Sequence, residues 1–354
     1  MFLDPSALLD GPRGRRLCLE ILLDGARRAD TPEMRDAVHA AFRAAHGLET
    51  GSSTLIVIGN GEPFDEPDVS PADVATAFTD LGAPEISPEV LDAALEASVD
   101  GARYWQAPDG ADVLASSAEM RPVLAPVAAA VARAPGAREW ARPLDRERQW
   151  TVSFAGVPVL DEAPGDVLAR WREEAAASEI EWAALGEGRW SGTWWSTPPA
   201  GLALTTPPAA HGDPLRLRYV EDGLGWQSAR ARRAIVPDGV VIEIAGPDDW
   251  EALCARHPLV VTASRGHDWG RMTDRRGPWV QPDWASMANE AVGVHLSVAG
   301  YLSTAGRVIP VGALGSSLVA GWSPGETYWF VEVDTGGDEE RWARDGNTGP
   351  WHPA

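Results

Sequence analysis

The densest collection of groups able to do chemistry is Arg265-Gly266-His267-Asp268-Trp269-Gly270-Arg271. It follows an apolar run, Leu259 to Thr262, and has neither helical nor strand periodicity. It therefore reads as a loop at a strand's end, where sites are often built. In the functional reading Arg265 or Arg271 holds an anion, Trp269 stacks on a base, and His267 acts as acid or base. In the structural reading the loop is solvated and Trp269 packs on the core. A second set is Gly293-Val294-His295-Leu296-Ser297. With Val294 and Leu296 on the core face, His295 and Ser297 stand together on the other, without the context of a nucleophile elbow. The alternative is a histidine satisfied within the core. Glu243, between Ile242 and Ile244 in an apolar strand, must meet solvent or a polar partner. A pocket is expected near residues 265–271 with His295 within reach. Glu221-Asp222 reads either as paired carboxylates for metal or sugar chemistry or as an acidic turn. The histidines are scattered and form no H-x-x-x-H or H-E-x-x-H pattern, so no metal site is expected.

These groups need a scaffold, and apolar spacing supplies one. Residues 1–145 read as helices. One runs over about Gly14 to Ala29, and the next opens with Thr31 as cap and Pro32 in the first turn. Ser70-Pro71 and Ser87-Pro88 open two more. Ser117 to Ala134 is helical but holds Pro122 and Pro126, so a kink or split is expected. Thr54 to Ile58 fits a strand or buried turn, and Gly61 to Pro71 an exposed loop. Residues 146–189 form a connecting strand, Gln149 to Ala155, and a long helix, Asp166 to Leu185. Residues 190–354 switch to short strands with inserted helices. Leu215 to Val220, Val240 to Ile244, Gly293 to Val298, Arg307 to Val311, Leu318 to Trp322 and Thr327 to Val333 are the main strand candidates. Only Trp105 of the 17 tryptophans precedes Pro135-Gly136, which supports a boundary near residue 145. The fold class expected is α+β: a helical N-terminal part, then a Trp-rich part with one mixed sheet.

Composition excludes several functions. The net charge of −22, from 52 acidic and 30 basic residues, repels polyphosphate and anionic membrane surfaces, so neither nucleic acid nor membrane is an expected partner. All the basic residues are arginine; without lysine there is no Schiff base and no P-loop lysine. Two cysteines, Cys18 and Cys254, rule out a disulfide framework and fit a reduced, cytoplasmic setting. Arg13, Arg15 and Arg16 before Leu17-Cys18-Leu19 superficially suggest an export signal, but Glu20 and Asp24 cut the apolar run short, leaving an amphipathic helix.

Two resemblances add to this. Trp190-Ser191-Gly192-Thr193-Trp194-Trp195-Ser196, Thr262-Ala263-Ser264-Arg265, Val294-His295-Leu296-Ser297 and Gly321-Trp322-Ser323-Pro324 resemble stretches of hypothetical proteins from GC-rich bacteria, over most of the chain. That resemblance implies no activity. Over residues 215–334, Arg216 or Arg218, then Tyr301-Leu302-Ser303-Thr304, then Glu332-Val333-Asp334 are similar in order to ADP-ribosyltransferases. There, the resemblance implies an arginine for the NAD pyrophosphate, Ser303 for the nicotinamide ribose and Glu332 for the oxocarbenium-like centre. Ala305 and Asp334 depart from the family's Ser and Glu. Together these readings give a nucleotide- or NAD-directed enzyme, ADP-ribosyltransferase-like or NAD-hydrolysing, with Glu332, His295 and His267 catalytic. Arg218, Arg265, Arg271, Trp269 and Ser303 would bind substrate. The alternatives are a non-catalytic interaction or immunity-type protein whose acidic surface meets a basic protein partner, and a glycan-directed protein using Trp platforms.

Overall fold

The computed structural model describes residues 3–50, 68–79, 81–158, 162–186, 192–346 and 349–354. The expectations for residues 54–58 and 61–67 lie outside that set.

Among the described residues every element before residue 145 is helical. The helices are α1 (Pro5–Asp10), α2 (Pro12–Ala29), α3 (Pro32–Leu48), α4 (Pro71–Phe78), α5 (Pro88–Asp100), α6 (Gly110–Ser116) and α7 (Met120–Arg133). Five of them begin on proline, whose missing N–H costs nothing in a first turn. The hydroxyls of Thr31, Ser70 and Ser87 accept from backbone N–H groups of the first turn, and Ser70 with Asp73 completes a capping box. Helix α7 is not split: it carries Pro126 in its interior and starts only at Met120. A 3-10 turn, Gly136–Ala141, ends this part.

The chain continues through β1 (Trp150–Phe154), α8 (Pro164–Leu185), β2 (Ala203–Thr205), β3 (Ser228–Ile235), β4 (Val241–Ile244) and α9 (Pro247–Arg256). There follow β5 (Pro258–Val260), α10 (Thr262–Thr273), β6 (Val280–Pro282), α11 (Trp284–Met287), β7 (Gly293–Leu296) and α12 (Val298–Thr304). The last strands are β8 (Ile309–Pro310), β9 (Ser316–Ser317), β10 (Thr327–Trp329), β11 (Asp334–Arg344) and β12 (Trp351–Pro353). The fold is α+β, helical first and strand-rich later.

Two four-stranded sheets replace the single sheet expected. The first, in order β1-β3-β11-β12, is antiparallel throughout. The second, in order β2-β10-β7-β4, is mixed, with β4 and β7 parallel. The first sheet hides from periodicity. In β3 only alanines face the core, Ala229, Ala231 and Ala234, while Arg230, Arg232 and Arg233 face out. In β11 only Trp342 is buried.

Leu215 to Val220 is not a strand. Leu215–Leu217 is a 3-10 turn, because the N–H groups of Leu217 and Arg218 bond back to the carbonyls of Pro214 and Leu215. The Leu-Arg-Leu-Arg alternation there reflects burial of a turn, not a pleat. Leu318 to Trp322 holds only an isolated bridge, Ala305 to Val319.

One core runs from the helical part into the second sheet, joining Leu17, Ile21 and Leu124 to Trp250, Leu296 and Trp322. A smaller core under the first sheet gathers Trp150, Phe154, Trp342 and Trp351. Trp250, Trp269, Trp279, Trp284, Trp322 and Trp329 are fully buried, as the core reading of the tryptophans expects. No helix among the described residues is long and apolar enough to cross a membrane.

Candidate functional site

Strand β7 lies between β10 and β4, so its four residues are all buried and no alternation shows in its exposure. Val294 and Leu296 enter the core, which turns His295 to the opposite face. Parallel pairing sets Glu243 of β4 directly beside His295. His295 Nδ1 lies 2.6 Å from Glu243 Oε2, while Glu243 Oε1 accepts the Leu144 N–H at 2.9 Å. A carboxylate accepts only, so Nδ1 carries the proton and Nε2 is left as the ring's basic atom. The His295 side chain is 5% exposed and that of Glu243 34%. The ring is held by packing, and the carboxylate keeps contact with water.

His295 lines a cleft of about 340 Å³ between the helical part and the second sheet. Leu91 and Trp140 wall it on the helical side, and Gln149, Tyr219 and Ser297 on the other. Two of these polar groups are fully committed. Gln149 donates to the Asp145 carbonyl at 2.9 Å and accepts from the Thr205 hydroxyl at 2.8 Å. Ser297 caps α12, accepting from the Gly300 N–H at 3.0 Å and donating to the Ile244 carbonyl at 3.3 Å. Burial and neighbouring Asp92 push the Tyr219 hydroxyl far above its usual range, so it stays neutral. His295 lines this cleft with its Nδ1 held by Glu243. At its mouth Arg142 and Arg148 are exposed and pair only locally, with Glu139 and Asp145.

Comparison with known protein families, with curated proteins and with solved structures finds no match.

The remaining residues singled out in the sequence lie elsewhere. Residues 265–271 are not a loop but the body of α10, and they do not line the His295 cleft. The sequence hides this helix because its cap is not local. Val261, the residue before it, offers no capping side chain; the N–H groups of Ala263 and Ser264 are taken by Glu179 of α8, at 2.7 and 2.9 Å. The helix is a tie. Trp269 Nε1 donates to the Trp194 carbonyl at 2.6 Å, and Arg265 Nε donates to that of Trp195 at 3.0 Å. Arg271 donates to Asp268 at 3.1 Å and to the Trp105 carbonyl of the helical part. Burial pulls the Arg265 guanidinium down to about 10, which fits a structural cation holding carbonyls. His267 is half-buried on the same helix.

The trio carrying the ADP-ribosyltransferase resemblance is not gathered round this cleft. Arg218 follows the 3-10 turn and pairs with Asp213 at 3.0 Å. Ser303 is buried inside α12, donating to the Ala299 carbonyl at 2.8 Å. Glu332 is exposed in the connection between β10 and β11. Among the described residues no group of three or more His, Cys, Asp or Glu is placed to hold a metal ion.

Two buried polar clusters were not legible as clusters in the sequence. Arg13, in the first turn of α2, is 3% exposed; it pairs with Asp112 and donates to the Ser98 carbonyl at 2.8 Å. Glu221 is 7% exposed and accepts from the Tyr104 hydroxyl at 2.7 Å, with Tyr301 also facing it. Burial pushes its carboxyl up to about 7, against the pull of the two tyrosines and Arg13. The acidic pair Glu221-Asp222 was visible, but nothing local marks Glu221 as the one turned inward.

Proposed function

We propose that the protein is an enzyme performing acid–base chemistry on a compact substrate in the His295 cleft, with His295 as the proton-transfer group and Glu243 orienting it. The observation that carries this reading is the 2.6 Å contact of His295 Nδ1 with Glu243, which leaves Nε2 as the free basic atom in a residue lining a cleft. A general base needs a basic atom within reach of its substrate and a partner that fixes its tautomer and steadies the imidazolium once formed. Here Nε2 takes a proton from a water or a substrate O–H, the positive ring is held across Nδ1–H by the carboxylate, and the proton passes on to the leaving group. Ser297, committed as a helix cap, is not the nucleophile, so the attacking atom comes from water or substrate. The cleft's volume of about 340 Å³ sits at the low end of ligand sites, roughly 300–1,000 Å³. Arg142 and Arg148 at the mouth suit a substrate with one anionic group.

The test is a panel of small esters, amides and nucleosides, with NAD and ADP-ribose among the first because of the resemblance noted above. Wild type, His295→Gln and Glu243→Gln are assayed together. At least one compound is turned over, and His295→Gln loses on the order of 10²–10⁴-fold in kcat. In parallel, diethyl pyrocarbonate modifies His295, and the substrate protects it. A panel with neither turnover nor protection of His295 overturns the reading.

A further inference from the structure

A second pocket, away from the His295 cleft, holds about 280 Å³ and is lined by Trp194, Trp195, Tyr328, Glu221 and Asp222. Its aromatic walls are rigid. The Trp194 and Trp195 rings stand nearly perpendicular, at 85° with centroids 5.8 Å apart. Both residues are anchored through their backbone carbonyls by Trp269 and Arg265 of α10. Trp194 also packs on Trp105, with centroids 5.0 Å apart. Gly321, at φ +76°, lets the pair sit close: a Cβ there would lie 2.9 Å from that of Trp195. Trp195 keeps 43% of its surface exposed, large for a tryptophan in this protein. The acidic groups of the pocket, Glu221 and Asp222, have no ion pair among the described residues. Glu221 is buried and held by the hydroxyls of Tyr104 and Tyr301. The nearby cation, Arg13, is already paired with Asp112. Asp222 is exposed on the rim.

We propose that this pocket binds a small organic ammonium ion, its alkyl groups against Trp194, Trp195 and Tyr328 and its charge facing Glu221 and Asp222. The chemistry follows from the lining. Aromatic faces attract a cation whose alkyl groups also gain from leaving water, and a buried carboxylate without a counter-ion stabilises the same charge. A neutral ligand leaves Glu221 uncompensated, and an anion is repelled. The occupant is a free ion rather than a lipid head group, because the pocket's volume of about 280 Å³ matches a small molecule. Binding is tied to protons. Burial holds the Glu221 carboxyl up at about 7, where Tyr104, Tyr301, Arg13 and Asp222 are the groups around it. A bound cation favours the ionised form, so affinity rises as pH rises through about 7.

Calorimetry on the full chain tests this with choline, with its neutral isostere 3,3-dimethylbutan-1-ol, and with phosphatidylcholine vesicles. Choline binds saturably with Kd on the order of 1 mM or tighter. The isostere binds at least about tenfold more weakly, and affinity is higher at about pH 8 than at about pH 6. Trp195→Ala, at an exposed position, folds normally and weakens choline binding roughly tenfold, and Glu221→Gln removes the pH dependence. Absence of choline binding at about 10 mM, equal binding of the isostere, or an unchanged Trp195→Ala variant overturns the assignment. Vesicle binding without binding of free choline overturns the free-ion form of it.

Discussion

Glu243 and His295 are 52 residues apart in sequence and face each other on adjacent parallel strands, with Oε2 and Nδ1 2.6 Å apart. The pair has unequal ends: the histidine is packed and the carboxylate is half in water. That asymmetry allows stability and function to be separated. In His295→Ala, Glu243 keeps the Leu144 N–H and gains water, so the lost bond costs about 1 kcal/mol, and removal of the packed ring adds a transfer and cavity cost at least as large. In Glu243→Gln the Leu144 contact is retained and the negative partner of the ring is removed. Because the two residues act as one unit, the double variant loses no more activity than the worse single variant. Urea unfolding and kcat/KM of all four proteins measure both claims; additive activity losses would refute the dyad.

Much of this arrangement was half legible in the sequence. Glu243 and His295 each stood out as polar residues in apolar strands, since a buried polar group needs a partner. What the sequence withheld was that each is the other's partner, because strand order places β7 beside β4 and only that order brings them into register. Helix starts at Thr31, Ser70 and Ser87 were readable because their caps are local. Helix α10 was not, because its cap is Glu179, 84 residues before Ala263. Strands β3 and β11 were missed for a third reason. They bury small alanines or a single tryptophan and present arginines and acids to water, so no apolar period marks them.

Glu221 gives the stability a pH dependence of definite sign. The folded protein holds this proton up to about 7, while the unfolded chain releases it near 4.5. Between those values the native state binds more protons than the unfolded state, so this contribution is full below 4.5 and is lost as pH rises to about 7. Its size is at most about 3 kcal/mol. Glu221→Gln keeps an acceptor for Tyr104 and abolishes the ionisation. The variant is therefore more stable than wild type above pH 7, and the difference between the two shrinks as pH falls towards 4.5. Denaturant titrations of the two proteins across this range measure the difference directly and cancel the contribution of the other acidic groups. A constant difference would refute it.

Cys18 and Cys254 are unpaired and buried, and burial pushes both thiols up to about 12. The thiolate is the reactive form, so at neutral pH each is almost wholly the inert thiol and is also shielded by packing. A disulfide-exchange reagent therefore labels neither in the native protein on the timescale of minutes, and labels both at once in urea. Rapid native labelling of either would show that its helix opens locally.

Helix α12 starts immediately beyond β7 and lies so close to β4 that a Cβ on Gly300 would sit 2.2 Å from the Ile244 carbonyl oxygen and 3.1 Å from the Ser297 hydroxyl. Backbone cannot yield there as a side chain can. In Gly300→Ala the helix must move off the end of β4, breaking the Ser297 cap that also holds Ile244. Ile244 follows Glu243, and Ser297 lies two residues after His295, so the displacement reaches both members of the dyad. The expected loss is about 3 kcal/mol, from overpacking and a broken cap together, with loss of any activity that depends on the dyad. Gly47→Ala is the control. It lies near the end of α3 with no atom within 4 Å of the added carbon, so alanine there is neutral or stabilises by up to about 1 kcal/mol. Thermal unfolding distinguishes the two: Gly300→Ala melts well below wild type and Gly47→Ala at or above it, and equal melting temperatures for both variants would show that α12 does not rest on β4 as closely as its backbone contacts require.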